Sequence, residues 1–105
     1  MATKRTFHWN SGATGATSAT GASSIEQAPH ANKVVQASLD ADGTSATIDV
    51  YGSIDGGVHK FKLDTLTLTG ANGVDAYSGE TAFDSISLDL TAVTGIVTAL
   101  VRSED

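Results

Sequence analysis

The sequence predicts an all-β protein: an antiparallel β-sandwich or jelly-roll-like small barrel, with an extended N-terminal segment. Three observations carry that expectation. Apolar residues recur at alternate positions through most of the chain after Asn32, the period of a strand with one buried face. The apolar runs are divided by Gly- and Asp-rich clusters, the composition that turns demand. No segment carries a helical apolar stripe of about ten residues or more.

In chain order, Thr6 to Trp9 is suited to a short strand with Phe7 and Trp9 on one face and His8 on the other. A triplet tract follows: Gly12-Ala-Thr, Gly15-Ala-Thr, Ser18-Ala-Thr, Gly21-Ala-Ser. It is not collagen, because Ser18 breaks the glycine period and the tract has no proline. With almost no large apolar side chain to offset ordering entropy, it reads as a flexible or extended connector. Residues 1–31 are therefore expected to form an arm or short strand plus connector, and residues 32–105 the sandwich domain.

Val34, Val35 and Leu39 mark a strand closed by the turn Asp40-Ala-Asp-Gly43. Ala46, Ile48 and Val50 then alternate with Thr47, Asp49 and Tyr51, and Gly52 to Gly57 turns the chain. From Val58 to Leu68 the apolar parity changes between Phe61/Leu63 and Leu66/Leu68, which predicts a bulge or brief turn near Asp64 and Thr65. Gly70 to Gly73 and Tyr77 to Glu80 read as further turns. Phe83 to Leu90 has the clearest alternation, with Ile86, Leu88 and Leu90 inward and Ser85, Ser87 and Asp89 outward. Gly95 to Val101 is apolar on both parities except at Thr98, which suits a central strand or one covered by a neighbouring subunit.

At 105 residues the chain is the size of one modest domain. A net charge of −6 disfavours nucleic acid, which is bound by Lys and Arg that release counterions. No apolar run reaches membrane-spanning length, and the basic N-terminus lacks the apolar stretch of a secretory signal. The expectation is no nucleic-acid or membrane partner and a protein used where it is made. There is no cysteine, which removes disulfides and thiolate metal sites.

Catalytic chemistry finds no constellation. His8, His30 and His59 are scattered without metal spacing. Asp40, Asp42 and Gly43 resemble the opening of a calcium loop, but the twelfth position is Tyr51 where a glutamate is needed. A looser calcium site drawing in Asp55 competes with a plain β-turn, which the same residues form more readily. There is no Gly-x-Ser-x-Gly elbow and no phosphate loop. The sequence thus predicts no enzyme and no cofactor, and a protein that acts by binding and assembly. Phe7 and Trp9 either join the core or anchor a neighbour, since Trp is favoured at assembly hot spots. Ile96 and Val97, on the two-sided apolar strand, are the other candidate assembly contacts.

The stretch Ala46-Thr-Ile-Asp-Val-Tyr-Gly-Ser-Ile-Asp-Gly-Gly57, with Phe61 returning on the next strand, resembles small virion proteins of tailed bacteriophages. Phe83 to Leu90 followed by Thr94 to Val101 is similar to the closing hairpin of such chains. The resemblance covers the C-terminal two-thirds. It implies a capsid-decoration (cement) protein, or else a tail, knob or fibre-associated component. The implied partners are the chain itself, as a homo-oligomer that in this family is commonly a trimer, and a major capsid or tail protein. The implied location is the virion, after synthesis in the host cytoplasm. The rival reading is a carbohydrate- or ligand-binding β-sandwich module, which a solvent-facing cluster of Trp and Tyr would favour.

Circular dichroism is expected to show a β-dominated spectrum. A helix content above about a quarter, near the globular average, would overturn the fold class.

Overall fold

The computed structural model describes residues 3–9 and 15–104. Ten strands form in chain order: β1 (Thr3–Thr6), β2 (Ala16–Thr17), β3 (Gly21–Ala22), β4 (Glu26–Gln27), β5 (Asn32–Leu39), β6 (Ser45–Ser53), β7 (Phe61–Thr69), β8 (Val74–Glu80), β9 (Ser85–Thr94) and β10 (Val97–Glu104). They build two antiparallel sheets. One runs β1-β10-β5-β8 with β2 also on β10; the other runs β3-β9-β6-β7 with β4 also on β9. This interleaved order is that of a jelly roll, in which the chain passes repeatedly from sheet to sheet. Among consecutive long strands only β6 and β7 pair as a hairpin.

The alternation of the sequence becomes the core. Val35, Ala37 and Leu39 of β5, Val97, Ala99 and Val101 of β10, Ile48 and Val50 of β6, Leu66 and Leu68 of β7, and Ile86, Leu88 and Leu90 of β9 are all buried. The parity change in β7 is absorbed by a bulge. Val50 lies opposite Asp64 and Tyr51 opposite Lys62, which leaves Leu63 as the extra residue. A second shift between Thr47 and Ile48 leaves Thr91 of β9 unpaired in the same way.

Several expectations need correction. β9 and β10 do not form a closing hairpin, because they belong to opposite sheets. Gly95, at φ +126°, turns the chain across the sandwich, and a Cβ there would lie 2.5 Å from the Cα of Gly43. Tyr77 to Glu80 is strand rather than turn, since all four residues pair with β5. Ser85 and Ser87 are buried rather than outward. β9 is flanked by β6 and by β3 and β4, and a serine is short enough for its neighbours to shade it; Tyr51 lies directly across from Ser87.

Residues 3–9 and 15–31 are integral to the sandwich rather than an appendage. β1 and β2 make one broken edge strand along β10, and β3 and β4 make another along β9. Between them the chain crosses from one sheet to the other. Phe7 N–H donates to the Ala99 carbonyl of the first sheet (3.3 Å), and Trp9 bridges Ser23 beside the second. Ser23 holds that edge twice: its N–H donates to the Leu88 carbonyl (2.8 Å) and its Oγ accepts from Leu88 N–H (2.9 Å). The Gly/Ala/Thr composition suits this work, because an edge ladder is made by backbone and small side chains let the chain lie close. Residues 12–14 of the triplet tract lie outside the described residues.

The sandwich measures 36 × 23 × 23 Å and has two distinct ends. At the turn end, three turns meet on Asp40. Its carbonyl accepts from Gly43 N–H (3.2 Å) and Asn72 N–H (3.0 Å), its N–H donates to Ile96 (3.0 Å), and its Oδ1 accepts from Ile96 N–H (2.9 Å). At the loop end, buried Lys33 donates from Nζ to the carbonyls of His30 (2.7 Å) and Thr81 (2.8 Å), joining the loops before β5 and after β8. Burial pushes this ammonium below its ordinary pKa, and the nearby Asp84 carboxylate partly offsets that.

Phe7 and Trp9 are among the largest wholly buried side chains, so removing residues 2–24 should markedly lower the melting temperature of the isolated chain. Trp9→Ala is expected to cost ~3–5 kcal/mol and Leu88→Ala ~2–5 kcal/mol in denaturant unfolding. Unchanged stability on the deletion would show that the N-terminal segment is not part of the folded core.

Candidate functional site

Of the four residues that the sequence singles out as assembly contacts, Phe7, Trp9 and Val97 are enclosed in the chain's own core, at 0–1% exposure. Phe7 and Trp9 lean on each other with ring centroids 6.5 Å apart. A side chain so enclosed offers no surface to a second protein while this fold is intact. The physical reason is the path just after β1, where Phe7 still bonds the first sheet and Trp9 reaches Ser23 beside the second, which sets both rings between the sheets. Only Ile96 presents surface, at the turn end.

The exposed apolar side chains gather mainly at the two ends. At the loop end, the β6–β7 connection carries Ile54 and Val58, and Phe61 opens β7. Phe61 faces Gly52 across the ladder and stacks on Phe83 with centroids 5.7 Å apart. Ile25 reaches the same loop, because a Cβ at Gly57 would collide with its Cδ1. Gly57, at φ +90°, allows that close approach. The signal was present in the sequence: Ile54 and Val58 are apolar residues inside a glycine-rich turn, where no core requires them. At the turn end, Val74 and Ile96 are exposed beside Asp40 and Asp42.

The loop itself is held by a short polar network. Asp55 Oδ1 accepts from Ser53 Oγ (2.7 Å) and His59 N–H (3.0 Å), and its Oδ2 meets His59 Nδ1 (2.7 Å). A carboxylate only accepts, so Nδ1 is the protonated ring nitrogen. Ser53 Oγ in turn accepts from Gly57 N–H (2.9 Å). These bonds, first the His59 backbone N–H, then its ring, then Ser53, hold the Asp55 carboxyl well below the usual carboxylate range.

Ser, His and Asp are thus brought together, but in the wrong order for acyl transfer. A serine nucleophile needs the imidazole on its hydroxyl and the carboxylate behind the imidazole. Here the carboxylate sits in the middle and the hydroxyl donates to it. The arrangement clasps a loop. The calcium grouping is likewise separated. Asp40 and Asp42 lie at the turn end and Asp55 at the loop end, divided by the nine residues of β6, ~30 Å of strand. Among the described residues no three acidic or histidine side chains gather to hold a metal.

The broad outer face of the first sheet carries a shallow groove lined by Lys4, Val34, Gln36, Leu100, Arg102 and Glu104. No aromatic ring stands on it. Trp9 is in the core, Tyr77 packs against the core from β8, and Tyr51 lies on the other sheet. The scattered Trp and Tyr of the sequence therefore do not converge into a sugar-stacking platform.

No family model matches the chain, and no curated protein matches it by sequence. Solved structures do share its fold. The SPBc2 prophage-derived protein YomS superposes with a TM-score of 0.63 at 16% identity, covering 97% of this chain and 91% of that one. The K1 cleaved adhesin domain of Lys-gingipain from Porphyromonas gingivalis W83 gives a TM-score of 0.55 at 15% identity, over 94% and 72% of the two chains. A family 29 carbohydrate-binding module gives 0.51 at 12% identity, over 98% and 88%. At these identities the likeness is one of fold: the chain is an all-β sandwich of a kind found in a prophage protein, an adhesin domain and a carbohydrate-binding module.

The Asp55 carboxyl should titrate well below ~3.9 when followed by carbon NMR. Its folded pKa is depressed, so its contribution to loop order is complete above about pH 5 and is lost as pH falls through the folded value. His59→Ala should move the Asp55 midpoint upward. A midpoint near the ordinary value in both proteins would mean that the clasp does not form.

Proposed function

We propose that this chain is a non-enzymatic structural protein of a phage particle, which decorates and stabilises the capsid through protein–protein contacts made by its ends. The observation that carries this reading is the placement of exposed apolar surface. Ile54, Val58 and Phe61 stand at the tip of one end and Ile96 at the other, while the broad sheet face has no aromatic platform for a sugar. Exposed apolar groups concentrated at an extremity favour a protein contact, because desolvating them against another protein is the gain that association can draw on.

Two further points support the phage setting. The hairpin that resembles tailed-phage virion proteins folds as one unit, with Gly52 paired to Phe61. The prophage-derived YomS also shares the fold over nearly its whole length. Jelly-roll sandwiches serve viral shells and lectins alike, so fold by itself decides between neither. The missing aromatic platform weighs against the lectin-like alternative.

Mass spectrometry of purified particles from the producing system should find the chain in stoichiometric amounts, and immunogold labelling should place it on the shell. Phe61→Glu should leave the subunit folded but reduce its incorporation severalfold. Label confined to the tail would replace decoration by a tail role, and absence from particles would overturn the virion reading.

A further inference from the structure

Two sheets have four margins, and two of these are blunted by brevity. β1 with β2, and β3 with β4, are pieces of two to four residues, too short to template an added strand. β7 and β8 are continuous margins of nine and seven residues, one from each sheet, lying side by side. The bond from Leu39 N–H to the Gly73 carbonyl sets the phase of the β5–β8 ladder, so Val74, Ala76 and Ser78 turn their amides outward. The bond from Gly70 N–H to the Thr44 carbonyl does the same for β6 and β7, so Thr65, Thr67 and Thr69 turn theirs outward. Carboxylates occupy half of these amides. Asp64 Oδ1 accepts from Thr65 N–H (2.8 Å), and Asp75 accepts from Thr67 N–H at Oδ2 (3.0 Å) and from Ala76 N–H at Oδ1 (2.8 Å). The Asp75 side chain thus fills an edge amide of each sheet.

We propose that Asp64 and Asp75 are edge caps, which keep copies of this chain from joining through β7 and β8 into one continuous intermolecular sheet. An added strand bonds successive outward amides in turn. At Thr65 and Thr67 of β7, and at Ala76 of β8, its carbonyl oxygen would arrive where a carboxylate oxygen already sits, and the two repel. To admit the strand, Asp75 must release both amides or be covered without them, and an unpaired covered charge is costly. The sequence of β7 shows what the caps hold in check. Thr65-Leu-Thr-Leu-Thr69 has high strand propensity, no charge and no proline, the composition of segments that stack into shared sheets. Leu66 and Leu68 are buried in this fold, which leaves the backbone edge as the part of the run that another molecule can reach. Asp64 stands directly before the run, and Asp75 reaches it from the neighbouring sheet. This device goes beyond the assembly reading above and does not rest on it: it confines contact between copies to surfaces other than these two margins.

The test compares the purified full chain with a double variant, Asp64→Ala with Asp75→Ala. A charge control, Asp42→Ala with Glu104→Ala, removes two negative charges from exposed positions outside β7 and β8. Sedimentation velocity reads association, and infrared spectroscopy reads the band of intermolecular sheet. Edge hydrogen bonds regained in each contact should lower the concentration at which sheet-joined oligomers form by about tenfold or more in the edge variant, and not in the charge control. Association of the edge variant equal to that of the unaltered chain would overturn the proposal. So would an equal rise in the charge control, because net charge rather than the margin would then be the barrier. A thermal melt verifies that each variant folds. If the double variant melts early, Asp64→Ala alone replaces it, since the bond it removes lies within β7. Amide hydrogen exchange on the unaltered chain tests the caps directly: Thr65, Thr67 and Ala76 should exchange severalfold more slowly than the outward amide of Ser78. Exchange as fast as that of Ser78 would show that the caps do not form, and would overturn the proposal.

Discussion

The enclosure of Phe7 and Trp9 between the sheets is the contact on which the rest of the sandwich rests. The remaining core is built from aliphatic side chains and alanines, with Ala28, Ala37, Ala46 and Ala99 among them. Such a core is thin, and two aromatic rings supply bulk that alanines cannot. To place them, the backbone leaves the first sheet after β1, meets Ser23 beside the second at Trp9, and is back on β10 at β2. The later passage from β2 to β3 lays the second broken edge strand on β9. One N-terminal segment thus both fills the interior and covers two sheet edges. The edges left over, β7 and β8, lie side by side, and the Asp75 carboxylate accepts from Thr67 N–H (3.0 Å) to join them.

Much of this was legible in the sequence wherever one face is buried and the other wet. Ile86, Leu88 and Leu90, the β6 alternation, the β6–β7 hairpin and a bulge within one residue of its expected place follow from periodicity and turn composition alone. Partnership was not legible. Alternation reports which face of a strand is buried, never which sheet the strand joins, so Phe83 to Val101 looks like a hairpin until Gly95 is seen to send the chain across. The N-terminal tract misled for a related reason. An edge strand needs its backbone bonds and little from its side chains, so Ala16–Thr17 and Gly21–Ala22 carry no apolar period. At the candidate site, Ile54 and Val58 were visible as residues out of place in a turn. The extra residue at Leu63 is what sets Phe61 opposite Gly52, and no local pattern fixes it.

The two ends are secured by different chemistry. Asp40 gathers turns through its backbone amide, carbonyl and carboxylate, whereas Lys33 gathers loops with a buried ammonium directed at two carbonyl oxygens. In each case a polar group sits just behind the surface and holds the backbone, which leaves the outward side chains free of structural duty. Ile54, Val58, Lys60 and Phe61 at one end, and Asp42 and Ile96 at the other, can then be exchanged without disturbing the core. A binding surface mounted on a rigid frame loses less conformational entropy on association than one on a loose loop.

The pairing of β1 with β10 sets Thr3 opposite Ser103 and Thr6 opposite Leu100. β1 is thus made long before the strand it pairs with. Until β9 and β10 have been translated, Phe7 and Trp9 have no sheets to lie between, and the nascent chain carries them exposed. Contacts so distant in sequence make collapse slow compared with that of a helical bundle of equal length. During that interval the unpaired β9 and β10 margins are open to the wrong strands of other molecules. A chain synthesised in quantity meets this hazard most sharply between the emergence of β10 and the docking of β1 and β2 along it.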